Sequence, residues 1–186
     1  MDDELDAYLD KVLIGGREPV TVTIVDYDPG WEATYARYAD AVRRVLSERV
    51  VAVEHIGSTA VPALAAKPTV DMLLTVPDVT DEEHLVPPLA SIGLDLRVRE
   101  PDHLMFRAAA REVHLHVVEP HRPEIRDYLD LRDWLRADPA DREHYAATKR
   151  RLAQQSWNDM NHYAQAKSEV IQEMLERARR WRAAAT

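Results

Sequence analysis

The stretch Val53-Glu54-His55-Ile56-Gly57-Ser58-Thr59-Ala60-Val61-Pro62 is followed closely by Lys67-Pro68-Thr69-Val70-Asp71-Met72-Leu73-Leu74. A β-branched run ends in Gly-Ser, a short connection follows, and a second apolar run carries one acid near its start. The pattern predicts two strands of one sheet, with Gly57-Ser58 at the end of the first and Asp71 on its neighbour. Glycine lets the backbone approach an anion closely, and a serine hydroxyl with adjacent N–H groups can hold phosphate oxygens. An acid inside an apolar run is costly to bury unless it is paired, hydrogen-bonded or bound to a cation. Mg²⁺ prefers carboxylate oxygens and shares its shell with phosphates, so Asp71 is a candidate metal ligand. An ordinary turn, and an acid that pairs with Lys67 or an arginine, are the competing readings.

Outward from this stretch, residues 2 to 13 form an expected helix, with Leu5, Tyr8, Leu9, Val12 and Leu13 on one side and Gly15-Gly16 as its stop. The first 19 residues read as an N-terminal arm and 20–186 as the main domain, rich in strands to about residue 120 and helical after it. Val20 to Val25 alternates as a strand, Tyr27-Asp28-Pro29-Gly30 is a turn, and a helix begins near Trp31. Strands are expected at Val50 to Ile56, Val70 to Val76, Leu94 to Arg99, His103 to Ala108 and Val113 to Val118. Between them, Asp81 to Ile92 is helical at its ends and interrupted by Pro87-Pro88. Past Pro120 and Pro123 everything reads as helix, with Asp138-Pro139 as an N-cap and first-turn pair. The last helix carries Met160, Tyr163, Ala164, Lys167, Ile171, Met174, Leu175 and Ala178 on one stripe. One mixed sheet with a helical C-terminal half is the economical α/β (α+β) architecture.

His114-Leu115-His116 places two imidazoles on one face of a strand, because strand side chains alternate. With Asp71 on a nearby strand they could bind a metal or contact a phosphate; one buried and one hydrogen-bonded histidine is the plainer alternative. His55 is a further candidate, with Glu54 on the opposite face. Lys67, Arg99, Arg107 and Arg111 are the cations near these strands, and Lys67 and Arg107 are the ones assigned to phosphate. Arg132, Asp133, Tyr145, Lys149, Asp159, Tyr163 and Lys167 are spread over the later helices. Tyr145 with Lys149, and Tyr163 with Lys167, share an i, i+4 spacing that packing with an extended lysine explains as well as function does.

With 186 residues the chain can bury a real core, and its net charge of −9 argues against nonspecific nucleic-acid binding, which needs a basic face. No cysteine is present, so disulfides, thiolate nucleophiles and cysteine-based zinc sites are excluded. No run approaches the ~20 apolar residues of a membrane span, and the acidic start is the reverse of a signal peptide. A cytoplasmic protein with no membrane or nucleic-acid partner is expected. Dinucleotide-binding, P-loop, nucleophile-elbow and His-Glu-x-x-His signatures do not occur.

Taken in order, several blocks resemble the GrpB family, within the nucleotidyltransferase-like superfamily, from about Ile24 to Met174. They are Ile24-Val25-Asp26-Tyr27-Asp28-Pro29-Gly30-Trp31, His55 to Pro62, Ala66 to Asp71, His114 to Val117, Leu131 to Arg136, Tyr145 to Lys149 and Tyr163 to Lys167. The resemblance implies a nucleotidyltransferase-like mixed β-sheet with flanking helices, and Gly57, Ser58 and Asp71 at the inherited site. The resemblance implies no known reaction; the leading expectation is a nucleotidyltransferase-like enzyme binding a nucleoside triphosphate with Mg²⁺ or Mn²⁺. Gly57, Ser58 and Thr59 would hold phosphates with Lys67 or Arg107. Asp71, His114 and His116 would be metal ligands, with Asp71 and His116 catalytic. A related domain is appended to some dephospho-CoA kinases, but this chain has no kinase P-loop. Two departures stand out: Ala63 occupies a position where the family usually has Gly, and Leu73 stands where the superfamily carries a second acid. The second departure leaves two alternatives open. One is a non-catalytic binder of a nucleotide or phosphorylated metabolite; the weaker one is a metal-dependent phosphohydrolase.

Overall fold

The computed structural model describes residues 2–18, 21–157 and 159–184. The chain forms two compact units: a sheet unit of residues 1–17, 33–55 and 69–122, and a helical unit of residues 18–32, 56–68 and 123–186. Among the described residues no helix is long and apolar enough to cross a membrane.

The sheet unit carries helices α1 (Asp2–Val12) and α3 (Glu82–Ala90) and most of α2 (Gly30–Leu46). Its strands are β1 (Ala52–Ile56), β2 (Val70–Thr75), β3 (Leu94–Glu100), β4 (His103–Ala108) and β5 (Val113–Val118), in the order β1-β2-β5-β4-β3. β2 runs parallel to β5, while β4 is antiparallel to both β5 and β3, so the sheet is mixed. One face collects Met72, Leu74, Leu115, Val117, Leu104 and Phe106, all at most 2% exposed. Period-two alternation explains the segregation, and these five strands lie within two residues of their expected bounds.

Two local features depart from the expected pattern. Pro87 and Pro88 sit inside α3 and do not interrupt it. The carbonyls that lose their donors belong to Glu83 and His84, which are exposed, so water can satisfy them. On β3 the register shifts between Leu96 and Val98, leaving Arg97 as a bulge residue. The buried Arg97 guanidinium donates to the carbonyls of Ile14 and Gly16, and Leu13 bridges Val98. That clasp holds the segment after α1, where Gly15 and Gly16 turn the chain at φ 83° and 74°.

In the helical unit, α4 (Pro123–Ala137), α5 (Pro139–Leu152) and α7 (Ser168–Ala184) supply Leu135, Tyr145, Ala146 and Met174 to a core with Val61, Leu64 and Ala65. Asp138 caps α5 by accepting from the Asp141 N–H at 2.8 Å, as its sequence predicts. Asp141 in turn accepts from Trp134 Nε1 at 2.6 Å and Arg177 Nε at 2.6 Å, tying the three helices together. Burial pushes the Asp141 pKa up, but these donors outweigh it and hold the carboxyl below its ordinary range. The expected last helix is divided into α6 (Met160–Gln165) and α7, because the chain tightens at Lys167, whose N–H donates to Ala164 O at 3.2 Å. The expected strand from Val20 is also absent. Val20 lies outside the described residues, and only Val25 bridges, exchanging two hydrogen bonds with Ala66 at 2.9 Å. Val22 and Ile24 instead insert among helix residues such as Leu152 and Tyr163.

The Val61-Pro62-Ala63-Leu64 turn explains the departure at Ala63. Leu64 N–H donates to Val61 O at 3.2 Å, Pro62 is second, and Ala63 is third at φ 64°. This is the type II arrangement, whose third residue favours Gly. Replacing Ala63 by Gly removes a Cβ clash at a cost in unfolded-chain entropy. Ala63→Gly is therefore expected to stabilise the protein by up to about 1 kcal/mol, read as a shifted urea midpoint with an unchanged slope.

Candidate functional site

The chain leaves β1 at Ile56 and enters Gly57, whose φ of 69° re-aims it into a 3-10 turn over Ser58–Ala60. Gly57 meets the need for a positive φ without the Cβ penalty that other residues carry. Arg136 fixes the end of this turn, its Nε and Nη2 donating to Ala60 O at 3.0 and 2.7 Å. Ser58 is half-buried and accepts from Lys149 Nζ at 2.8 Å. Lys149, on α5, is only 2% exposed; its ammonium also donates to Ala65 O at 2.5 Å and lies 4.5 Å from the Tyr145 ring centre. Two oxygens and a π face are partners that favour a charged amine in a dry setting. The Tyr145–Lys149 spacing was legible as a shared helix face, but its partner, Ser58, lies 91 residues away.

Lys67, also expected at the phosphate, has its Nζ 3.0 Å from Met160 Sδ. Tyr163 is 1% exposed beneath Lys167, whose Nζ lies 4.7 Å from the ring centre, and burial pushes the Tyr163 phenol up to about 12.

The other expected residues belong to the sheet unit, and strand register organises them into rows. Asp71 on β2 pairs with His114 on β5, His114 with Arg107 on β4, and Arg107 with Asp95 on β3. Residues directly paired across strands share a face. Asp71, His114 and Arg107 therefore stand side by side, and His114 Nδ1 is 3.4 Å from Asp71 Oδ1. The next row holds Leu73, His116 and Met105, and the row beyond holds Thr75, Val118, His103 and Glu100. Asp71 and His116 thus open onto the same face, as expected. Among the described residues, however, the ligand atoms of Asp71, His114 and His116 do not gather as a trio within 4.8 Å of one another.

Leu73 faces the same way as Asp71 yet is 1% exposed, so the position of the missing second acid is part of the buried interior. His116 is displaced in pKa: burial lowers it to about 4, Asp71 pulls it up, and His103 and His114 push it down. It is a neutral imidazole at neutral pH. His103 completes a chain that sequence reasoning missed, with Nε2 at 3.0 Å from His116 Nδ1 and Nδ1 at 2.6 Å from Glu100 Oε2. The only signal available was the closeness of Glu100 and His103 across a turn between two strands.

His55 is buried and stacks on Tyr35 at 4.8 Å, the role of a core histidine. Arg99 forms a fork with Glu82, both bonds 2.8 Å, and so serves an ion pair on the surface. Arg111 occupies the β4–β5 turn at φ 62°, where its carbonyl accepts from Thr69 Oγ1 at 3.2 Å.

The GrpB protein family profile matches residues 21–177. The chain belongs to the GrpB family. A UPF0157 protein of Halalkalibacterium halodurans is 44% identical, covering 93% of this chain and 91% of that protein. One of Streptomyces coelicolor is 47% identical over 89% of each chain. The crystal structure of the conserved protein GrpB from Enterococcus faecalis superposes with a TM-score of 0.75 at 29% identity, covering 84% of this chain and 96% of that one. A dephospho-CoA kinase of Mycolicibacterium paratuberculosis is 29% identical over 86% of this GrpB chain, which spans 46% of that protein.

The lowered His116 pKa fixes the sign of one pH effect. Between pH 6.5 and about 4 the unfolded chain binds a proton at His116 that the folded chain does not. Stability is therefore full above pH 6.5 and is lost as pH falls toward 4, by up to about 3 kcal/mol. Urea titrations of the wild type and His116→Gln across this range should show the wild type losing its relative stability in that window, with the difference constant above it.

Proposed function

We propose that this GrpB protein binds a nucleoside triphosphate, with its phosphates on the Gly57-Ser58-Thr59 turn, and acts as a nucleotidyltransferase-like enzyme with Mg²⁺ or Mn²⁺. The observation that carries the reading is the buried Lys149 ammonium at 2.8 Å from Ser58 Oγ. A charged amine sequestered from water beside a turn with a glycine at positive φ suits a phosphate oxygen, and Ser58 relays its donor character. Asp71, with His114 and His116 on the same face of the sheet, is the proposed divalent-ion group, and Arg107 beside His114 adds positive charge to that row. The family resemblance to nucleotidyltransferases supplies the reaction class.

A second reading has its own supporting observation. Leu73 is buried where a second carboxylate would complete a two-ion centre, so this GrpB protein fits a binder of nucleotide or phosphorylated metabolite that does not turn it over. Leu73→Asp is correspondingly expected to destabilise the sheet by several kcal/mol and not to restore a metal pair, because it buries an acid.

The test separates phosphate from ion. Calorimetric titration with each common nucleoside triphosphate, with Mg²⁺ or Mn²⁺ present, is expected to show saturable binding. Ser58→Ala should weaken it about tenfold, and Lys149→Met, which keeps length and removes charge, should weaken it more. Asp71→Asn should abolish the dependence on the divalent ion while leaving the fold intact. Pyrophosphate release that disappears in Ser58→Ala and Asp71→Asn supports transfer; binding without release supports the second reading. Equal affinity in the wild type and Lys149→Met would overturn the phosphate assignment.

A further inference from the structure

Glu100, His103 and His116 form a chain across β3, β4 and β5, of which the proposed nucleotide chemistry uses only His116. Glu100 and His103 flank the short turn between β3 and β4, and Arg122 steadies that turn by donating to Asp102 at 3.0 Å. Glu100 Oε2 lies 2.6 Å from His103 Nδ1. A carboxylate only accepts, so Nδ1 carries the hydrogen and the lone pair of the neutral ring sits on Nε2. That nitrogen faces His116 Nδ1 at 3.0 Å, the two rings lying within 13° of parallel.

We propose that His103 and His116 are the imidazole pair of a transition-metal site of zinc type, with Glu100 as the carboxylate that orients His103. The arrangement is that of a carboxylate–histidine–metal triad, in which the outer carboxylate fixes the tautomer and raises ligand basicity. Two nitrogens bound to one tetrahedral zinc stand about 3.3 Å apart, and because the two rings meet nearly head-on, both swing so that their lone pairs converge on the ion. Without metal, His116 Nδ1–H donates to His103 Nε2. On binding, the His116 hydrogen moves to its own Nε2, and both facing lone pairs turn to the ion with no net release of protons. Imidazole nitrogens select zinc, cobalt or nickel over Mg²⁺, which prefers oxygen. Two protein ligands leave open positions for water or an oxygen of a bound molecule. The assignment shares His116 with the proposed divalent-ion group but no residue with the Gly57–Thr59 turn, so it does not depend on the phosphate reading.

Titration of the metal-free full-length protein with Co²⁺, followed by its visible absorption, and with Zn²⁺ by competition, tests the pair directly. One equivalent with micromolar affinity is expected. His103→Gln and His116→Gln should each weaken binding at least a hundredfold, and Glu100→Gln by ten- to a hundredfold through the loss of orientation. Ser58→Ala should leave Co²⁺ affinity unchanged, which separates failure of this site from failure of the nucleotide reading. Zinc should raise the melting temperature of the wild type and not of His103→Gln, a second readout that also verifies that the variant is folded. Co²⁺ affinity equal in the wild type and a folded His103→Gln, or no uptake below millimolar, overturns the proposal.

Discussion

A slip of one residue between β2 and β5 would turn Asp71, His114 and His116 into the core and push Met72, Leu74 and Leu115 out of it. The strand period is two, so one-residue errors exchange whole faces. Each of those three apolar side chains is fully buried, at 0% exposure, and each contributes on the order of 2 kcal/mol by leaving water. The chemistry-bearing row is therefore placed by the hydrophobic row behind it. Asp71 and His114 stand opposite each other because Met72 and Leu115 do, and no attraction between an acid and an imidazole is required to explain their meeting.

The helical unit follows another logic, in which a buried charge is the organising element. Lys149 brings an ammonium into a region where water cannot solvate it, and Ser58, Ala65 and the Tyr145 face take over that task. Removing any one of them leaves a polar group short of partners, which is more costly than losing an average contact. This couples the conformation of the Gly57–Thr59 turn to the seating of α5.

Local periodicity made the strands readable: His103–Ala108 and Val113–Val118 coincide with their expected bounds, and Asp138 caps the helix its dipeptide announced. Where the reading failed, a distant partner decided. Val22 and Ile24 alternate with threonines like strand residues, but helices claim them, so no ladder forms. Pro87-Pro88 would interrupt a buried helix; on α3 the freed carbonyls meet solvent. The GrpB blocks pointed to Gly57, Ser58 and Asp71 without revealing that Lys149 reaches Ser58. They also gave no sign of the Glu100–His103–His116 chain, because strand order, unlike strand identity, is not written in local spacing.

The bulge at Arg97 has an evolutionary consequence. Its guanidinium grips carbonyl oxygens of the segment after α1, and every amino acid supplies the same carbonyl. The anchor of this segment is thus nearly blind to the side chain at position 14, whereas it depends on Arg97 and on the backbone geometry at Gly16. Diversity within that segment, with constancy at its clasp, is the pattern such main-chain recognition leaves behind.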